Sequence, residues 1–270
     1  MTDWLDLCRR CVGDLRAMLE RLPTRAEREP VLRLGQGGDD TTAVDQAAED
    51  AVVERLAALG EDFVLVSEEL GTRAFGAGGT TRVVVDPIDG SVNAKRGIPY
   101  FSFSLAVAEG GTMDDVLFGY VYDFGSGEEW TAEQKGGARL GGESLGTVRP
   151  KESIEILSFE GTTARAIAEQ IGDVLPLVGR IRVMGSLALS LCHLAAGRID
   201  AVCSLKPARS VDIAAAQLLV RECGLSIELF DDPPFGAGPL DLTQRSRVVA
   251  AGSAELAHAL AGALKVRSIS

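Results

Sequence analysis

Apolar residues recur at helical spacing over residues 3–22, where Leu5, Cys8, Val12, Leu15, Met18, Leu19 and Leu22 share one stripe and Pro23 ends the run. Residues 24–40 are charged, then glycine-rich, and read as a loop. Helical spacing returns over 42–59, with Ala43, Ala47, Ala51, Val52 and Leu56 as the inward stripe and Gly60 at the C-terminal side. Strand-like runs follow at 63–67, 82–86, 102–108, 116–123 and 128–133, divided by turns such as Glu109-Gly110-Gly111 and Gly125-Ser126-Gly127. From about residue 150 strands and helices alternate: strands at 154–159, 180–184, 200–203, 226–229 and 247–251, helices at 162–174, 186–196, 210–223 and 253–264. The pattern predicts two αβ halves, 1–150 and 151–270, joined near Arg149-Pro150-Lys151 with a site between them.

Composition narrows the function. A net charge of -12 lacks the basic face that a nucleic-acid binder uses to replace counterions. The five cysteines are odd in number and scattered, which fits reduced thiols and a cytoplasmic protein. Cys8 and Cys11 form a CxxC without a second pair, and their helical spacing makes them small core residues. The start shows no signal-peptide pattern, and no apolar run is long enough to span a bilayer, so no membrane partner is expected. Both histidines, His193 and His258, fall in predicted helices, which argues against a histidine zinc site or a Ser-His-Asp triad. No GxxxxGK[ST] loop occurs.

Carboxylates and hydroxyls at strand ends remain. The apolar run Val83-Val84-Val85 leads directly into Asp86-Pro87-Ile88-Asp89-Gly90-Ser91. Pro87 fixes an extended turn that can bring Asp86 and Asp89 toward one point. Paired carboxylates repel unless they share cations or protons, and hard oxygen ligands suit Mg²⁺. Gly90 and Ser91 open a short helix whose first N–H groups can take a phosphate. Read alone, the same segment is equally an ordinary turn, because Asp, Pro and Gly are favoured there for local reasons. A second strand ends in Ser67-Glu68-Glu69, Asp45 lies in the preceding helix, and Asp212 sits in the first turn of a late apolar helix.

Together these segments resemble the inositol monophosphatase family, which includes the archaeal-type fructose-1,6-bisphosphatases. The resemblance runs in order through Gly38–Asp45, Ser67-Glu68-Glu69, Asp86–Asn93, Gly185-Ser186-Leu187-Ala188, Gly197–Ala201 and Val211–Ala215, and so covers nearly the whole chain. It implies a layered αβαβα sandwich of the sugar-phosphatase type, often a homodimer, that hydrolyses a small phosphorylated substrate with two or three Mg²⁺ ions. One ion would be held by Glu68, Asp86 and the Ile88 carbonyl, a second by Asp86, Asp89 and Asp212, and a weaker third would lie near Glu68. Asp45 and Ser91 would position and deprotonate water. Gly90, Ser91, Gly185, Ser186, Arg182 and Arg209 would contact substrate.

The substrate residues depart from the inositol-preferring pattern. Leu205 stands where that branch has a sugar-binding Glu, and Val211 where it has Trp. Lys206, Arg209 and Arg182 are similar instead to the archaeal-type branch, and basic residues near the leaving group can bind a second phosphate. The same arginines can equally be ion-pair partners in so acidic a chain. Inositol phosphate, fructose 1,6-bisphosphate, a 3′-phosphorylated nucleotide and a non-catalytic phosphate or cation sensor are therefore the readings to separate.

Overall fold

The computed structural model describes residues 2–265 apart from 37, 148, 161, 162, 231 and 232. Helix α1 (Trp4–Arg21) is followed by the single turn α2 (Arg25–Arg28), by β1 (Val31–Leu34) and β2 (Asp40–Thr42), and by α3 (Ala43–Ala57). Then come β3 (Phe63–Ser67), β4 (Gly71–Phe75), β5 (Thr81–Asp89), α4 (Ser91–Arg96), β6 (Ser102–Glu109), β7 (Val116–Asp123), β8 (Glu129–Glu133), β9 (Gly137–Leu140) and β10 (Glu143–Ser144). The remainder comprises β11 (Ile154–Glu160), α5 (Ala164–Val174), β12 (Val178–Arg182), α6 (Leu187–Ala195), β13 (Ala201–Ser204), α7 (Ser210–Glu222), β14 (Ser226–Leu229), β15 (Val248–Ala251) and α8 (Ala254–Lys265).

An eight-stranded sheet runs β10-β9-β8-β7-β6-β5-β3-β4, and a five-stranded sheet runs β12-β11-β13-β15-β14. Three apolar clusters tie the layers together. Helices α1 and α3 cover one face of the larger sheet. Helices α6 and α7 fill the space between the sheets, where Leu189, Leu191, Ala215 and Leu219 meet Val84, Ala106 and Val121. Helices α5 and α8 close the outer face of the smaller sheet. This is the αβαβα layering implied by the resemblance. No helix among the described residues is long and apolar enough to cross a membrane.

Most expected elements appear within one or two residues of their expected ends. Thr162, the first residue of the helix expected at 162–174, lies outside the described residues. Residues 24–40 are not simply a loop, because they hold α2 and the β1 strand, which pairs with β2. Strands β4, β9 and β10 were not expected; they form one edge and the opposite end of the large sheet, where pairing rather than side-chain burial holds them. The α3 stripe is also rotated. Val44, Ala48, Val52 and Leu56 are fully buried, whereas Ala43, Ala47 and Ala51 are only half-buried. The turn of the helix places Asp45 and Glu49 on the buried side.

Candidate active site

Backbone geometry delivers the acids. In a regular strand, residues three apart point to opposite faces, so Asp86 and Asp89 would diverge. The pairing of β5 with β6 shifts between Asp86↔Ser104 and Asp89↔Ser102, which inserts one extra residue on the β5 side. Pro87, with no N–H to give the ladder, stands in that bulge. Strand β3 runs parallel to β5, with Ser67 beside Val85, so Glu68 emerges next to Asp86. Asp212 arrives from the first turn of α7. Oxygens of Glu68, Asp86 and Asp212 lie within 4.8 Å of one another.

Glu68 and Asp86 border a cavity of about 640 Å³ that also exposes Asp45, Asp89, Ser91 and Gly185. Asp212 opens on an adjoining recess of about 130 Å³ that shares Asp89, Gly185, Lys206 and Arg209 with it. Thr42 caps α3 by donating its N–H and Oγ to Asp45 Oδ2 at 2.9 and 2.5 Å. Asp45 Oδ1 is buried and has no hydrogen-bond partner among the described residues. Ser91 Oγ donates to the Ile88 carbonyl at 3.1 Å. Asp86 Oδ1 accepts the Ile88 N–H at 2.9 Å, which braces the bulge from inside.

The smaller sheet and its helices hold the other side. Asp89 Oδ2 accepts from Ser186 Oγ at 2.5 Å and from the Ala188 N–H at 2.8 Å, at the N-terminal end of α6. Ser186 is therefore engaged with Asp89 and is not among the residues lining the cavity. Gly90 and Gly185 both have positive φ, 97° and 95°, and a side chain on Gly90 would begin 3.0 Å from the Gly185 carbonyl. Asn93 Nδ2 donates to the carbonyls of Tyr100 and Met184 at 2.7 and 2.8 Å, which joins α4 to the turn before α6.

The basic residues separate. Arg209 Nη1 lies 2.5 Å from Glu68 Oε1, and Nη2 lies 3.1 Å from Asp212 Oδ1. Lys206 Nζ lies 3.2 Å from Asp39 and lines the cavity. Arg182 is exposed, gives its Nη1 to the Ile181 carbonyl and does not line the cavity. As the last residue of the edge strand β12, it faces solvent. Leu205 is buried away from the cavity wall, as its apolar side chain requires.

Burial dominates the electrostatics. It lifts Glu68 to about 8 and Asp89 to about 7, against the stabilising pull of Arg209 on the first and Ser186 on the second. Asp86 is raised well above the carboxylate range by burial and then by Glu68 and Asp89. Glu49, which accepts from Ser67 Oγ, rises to about 7 because it is buried. A shared hard cation would relieve this crowding, and every candidate donor here is oxygen. The donor set fits Mg²⁺. In the sequence nothing singled out Glu49, Asn93 stood only as the end of the Asp86–Asn93 segment, and the buried Glu160, which also lines the cavity, was left out. Glu160 ends an apolar strand as Glu68 nearly does, and that was the available signal.

A sequence profile described as the inositol monophosphatase family matches residues 13–267. The fructose-1,6-bisphosphatase/inositol-1-monophosphatase of Archaeoglobus fulgidus is 32% identical, over 92% of this chain and 93% of that protein. The protein of the same name from Thermococcus kodakarensis is 35% identical over 84% of each chain. Among solved structures, one titled inositol monophosphatase-fructose 1,6 bisphosphatase superposes with a TM-score of 0.82 at 27% identity, covering 97% of this chain and all (100%) of that one. The chain belongs to the inositol monophosphatase family and is a phosphoric monoester hydrolase.

Proposed function

We propose that this hydrolase removes phosphate from a small inositol or sugar phosphate with two Mg²⁺ ions, a weaker third lying near Glu68. Glu68, Asp86 and the Ile88 carbonyl would hold one ion, and Asp86, Asp89 and Asp212 the other. When bound, the ions lower the pKa of water and neutralise charge on the phosphoryl group and the leaving oxygen. The convergence of Glu68, Asp86 and Asp212 beside a buried, unpartnered Asp45 Oδ1 supports this reading most strongly.

Asp45 accepts the proton of the attacking water. Its Oδ2 is fixed by two donors from Thr42, so Oδ1 keeps one orientation. Ser91 Oγ gives its own proton to the Ile88 carbonyl and so presents lone pairs to that water. The N–H groups of Gly90 and Ser91, at the start of α4, bind phosphate oxygens. Gly185 supplies backbone at the opposite wall.

Fructose 1,6-bisphosphate is the second reading, supported by Lys206, which borders both the cavity and its recess. Arg182 and Arg209 give that reading less support, since one faces solvent and the other pairs with Glu68 and Asp212. Phosphate release from myo-inositol 1-phosphate, fructose 1,6-bisphosphate, histidinol phosphate and adenosine 3′,5′-bisphosphate, each with and without Mg²⁺, decides among the substrates. Substrate binding with no release in every Mg²⁺-containing arm would favour a non-catalytic sensor.

The units 1–150 and 151–270 would meet at this cavity. A cytoplasmic homodimer is consistent with the free cysteines and with the exposed Val92, Val183 and Met184 that line the cavity.

A further inference from the structure

Glu160, the last residue of β11, is only 1% exposed although it borders the cavity. Its Oε1 accepts from Ser158 Oγ and Ser190 Oγ, both at 2.7 Å, and faces the Met184 N–H at 3.3 Å. Its Oε2 accepts the Gly185 N–H at 2.8 Å. The serine hydroxyls can reverse as donor or acceptor; the two backbone N–H groups cannot. A buried acid beside Asp89 adds like charge to a site already crowded with it, so packing alone does not account for it.

The turn that Glu160 grips is the one on which the metal carboxylate rests. Met184 and Gly185 give their N–H groups to Glu160. The Met184 carbonyl takes Asn93 Nδ2, and the Gly185 carbonyl lies against Gly90. The next residue, Ser186, donates to Asp89 Oδ2 and caps α6. A shift of this turn moves Ser186, and with it Asp89, relative to Asp86 and Asp212.

We propose that Glu160 is a positioning residue: by clamping the Met184–Gly185 turn from the smaller sheet, it fixes Ser186 and hence the direction of Asp89. The link to catalysis rests on the reading of Asp89 as a metal ligand; the clamp itself does not. Glu160 touches neither the reacting atoms nor the metal oxygens, and acts through the backbone.

Three readouts on the full chain test it: amide exchange at Gly185, Mn²⁺ binding by calorimetry, and kcat against KM for the best phosphomonoester. Glu160→Leu keeps the volume and removes both acceptors. Gly185 exchange and the Mn²⁺ Kd should each rise about 10-fold, the scale of losing a residue that orients a ligand, and kcat should fall similarly while KM stays within about threefold. Glu160→Gln can keep an oxygen on Gly185 and an amide on the serines but turns that amide toward the Met184 N–H, so every readout should fall between the parent and the Leu variant. A folded Glu160→Leu with parental exchange and Mn²⁺ binding overturns the proposal, and so does a Gln variant as impaired as the Leu one. Should the Leu variant not fold, Glu160→Asp, which retains charge but withdraws from Gly185, must still raise both exchange and Kd; parental values for it overturn the proposal equally. A parent protein that binds no Mn²⁺ would sink the metal reading, while Gly185 exchange still decides the clamp.

Discussion

Arg209 Nη1 stands 2.5 Å from Glu68 Oε1, with the guanidinium reaching Asp212 on its other side. The arginine thus neutralises two of the carboxylates that would ligate Mg²⁺. Any cation entering there competes with it. Replacing Arg209 with Met should tighten Mg²⁺ binding several-fold by calorimetry. The same change should lower the stability of the chelator-treated protein by about 3 kcal/mol, because it leaves buried carboxylates unpaired. Unchanged Mg²⁺ affinity with a raised KM would return Arg209 to the substrate-binding role that its position in the sequence suggested.

Asp89→Asn keeps the size of the side chain and an oxygen for Ser186 and Ala188, so folding should survive. Turnover should drop by at least about 10²-fold, the cost of removing one preorganised charge from a dry site. Circular dichroism and phosphate release measured together check this. A well-folded variant that turns over at the parent rate would remove Asp89 from the metal set.

Glu49 gives the protein an unusual pH profile. Its folded pKa of about 7 lies above its unfolded value, so between about pH 4.5 and 7 the folded state binds the extra proton. Stability therefore falls as pH rises through that window. Glu49→Gln, which can still pair with Ser67, should stabilise the metal-free protein by on the order of 3 kcal/mol at pH 8 and little at pH 4.5. Urea unfolding at the two pH values reads the difference directly.

Protons and metal compete for the same oxygens. Glu68 is raised to about 8, Asp89 to about 7 and Asp86 further, so acidification through this range fills the ligand set with protons. The rise in melting temperature produced by a fixed Mg²⁺ concentration should be larger at pH 8 than at pH 6. Equal shifts at both pH values would mean that Mg²⁺ binds elsewhere.

Much of this arrangement was legible before the fold was known, because it is written in short segments. The convergence of Asp86 and Asp89 is signalled by Pro87 between them, though as a turn closing a strand at Asp86 rather than as the bulge through which β5 continues to Asp89. The amphipathic run of α1 is signalled by its own spacing. What escaped depends on partners distant in the chain. Glu160 looks like any strand-ending acid until Ser190 and Gly185 come to it from α6 and its preceding turn. For Arg209, substrate contact and ion-pair partner both stayed open, because a sequence cannot show that Glu68, far upstream, faces it. In α3 the alanines suggested one inward face, but the helix turns Asp45 and Glu49 inward instead. Short polar edge strands such as β10 carry almost no periodic signal of their own.

The bulge at Pro87 brings Asp86 and Asp89 together, yet Asp45, Glu68 and Asp212 join them only after β3 has paired with β5 and α3 and α7 have docked on the larger sheet. Such long-range assembly is slow relative to local helix formation. During refolding from urea, helical ellipticity should therefore recover well before turnover does. Catalytic activity in this chain is a reporter of the last docking event, and a truncated or partly folded species would keep its helices while remaining inert.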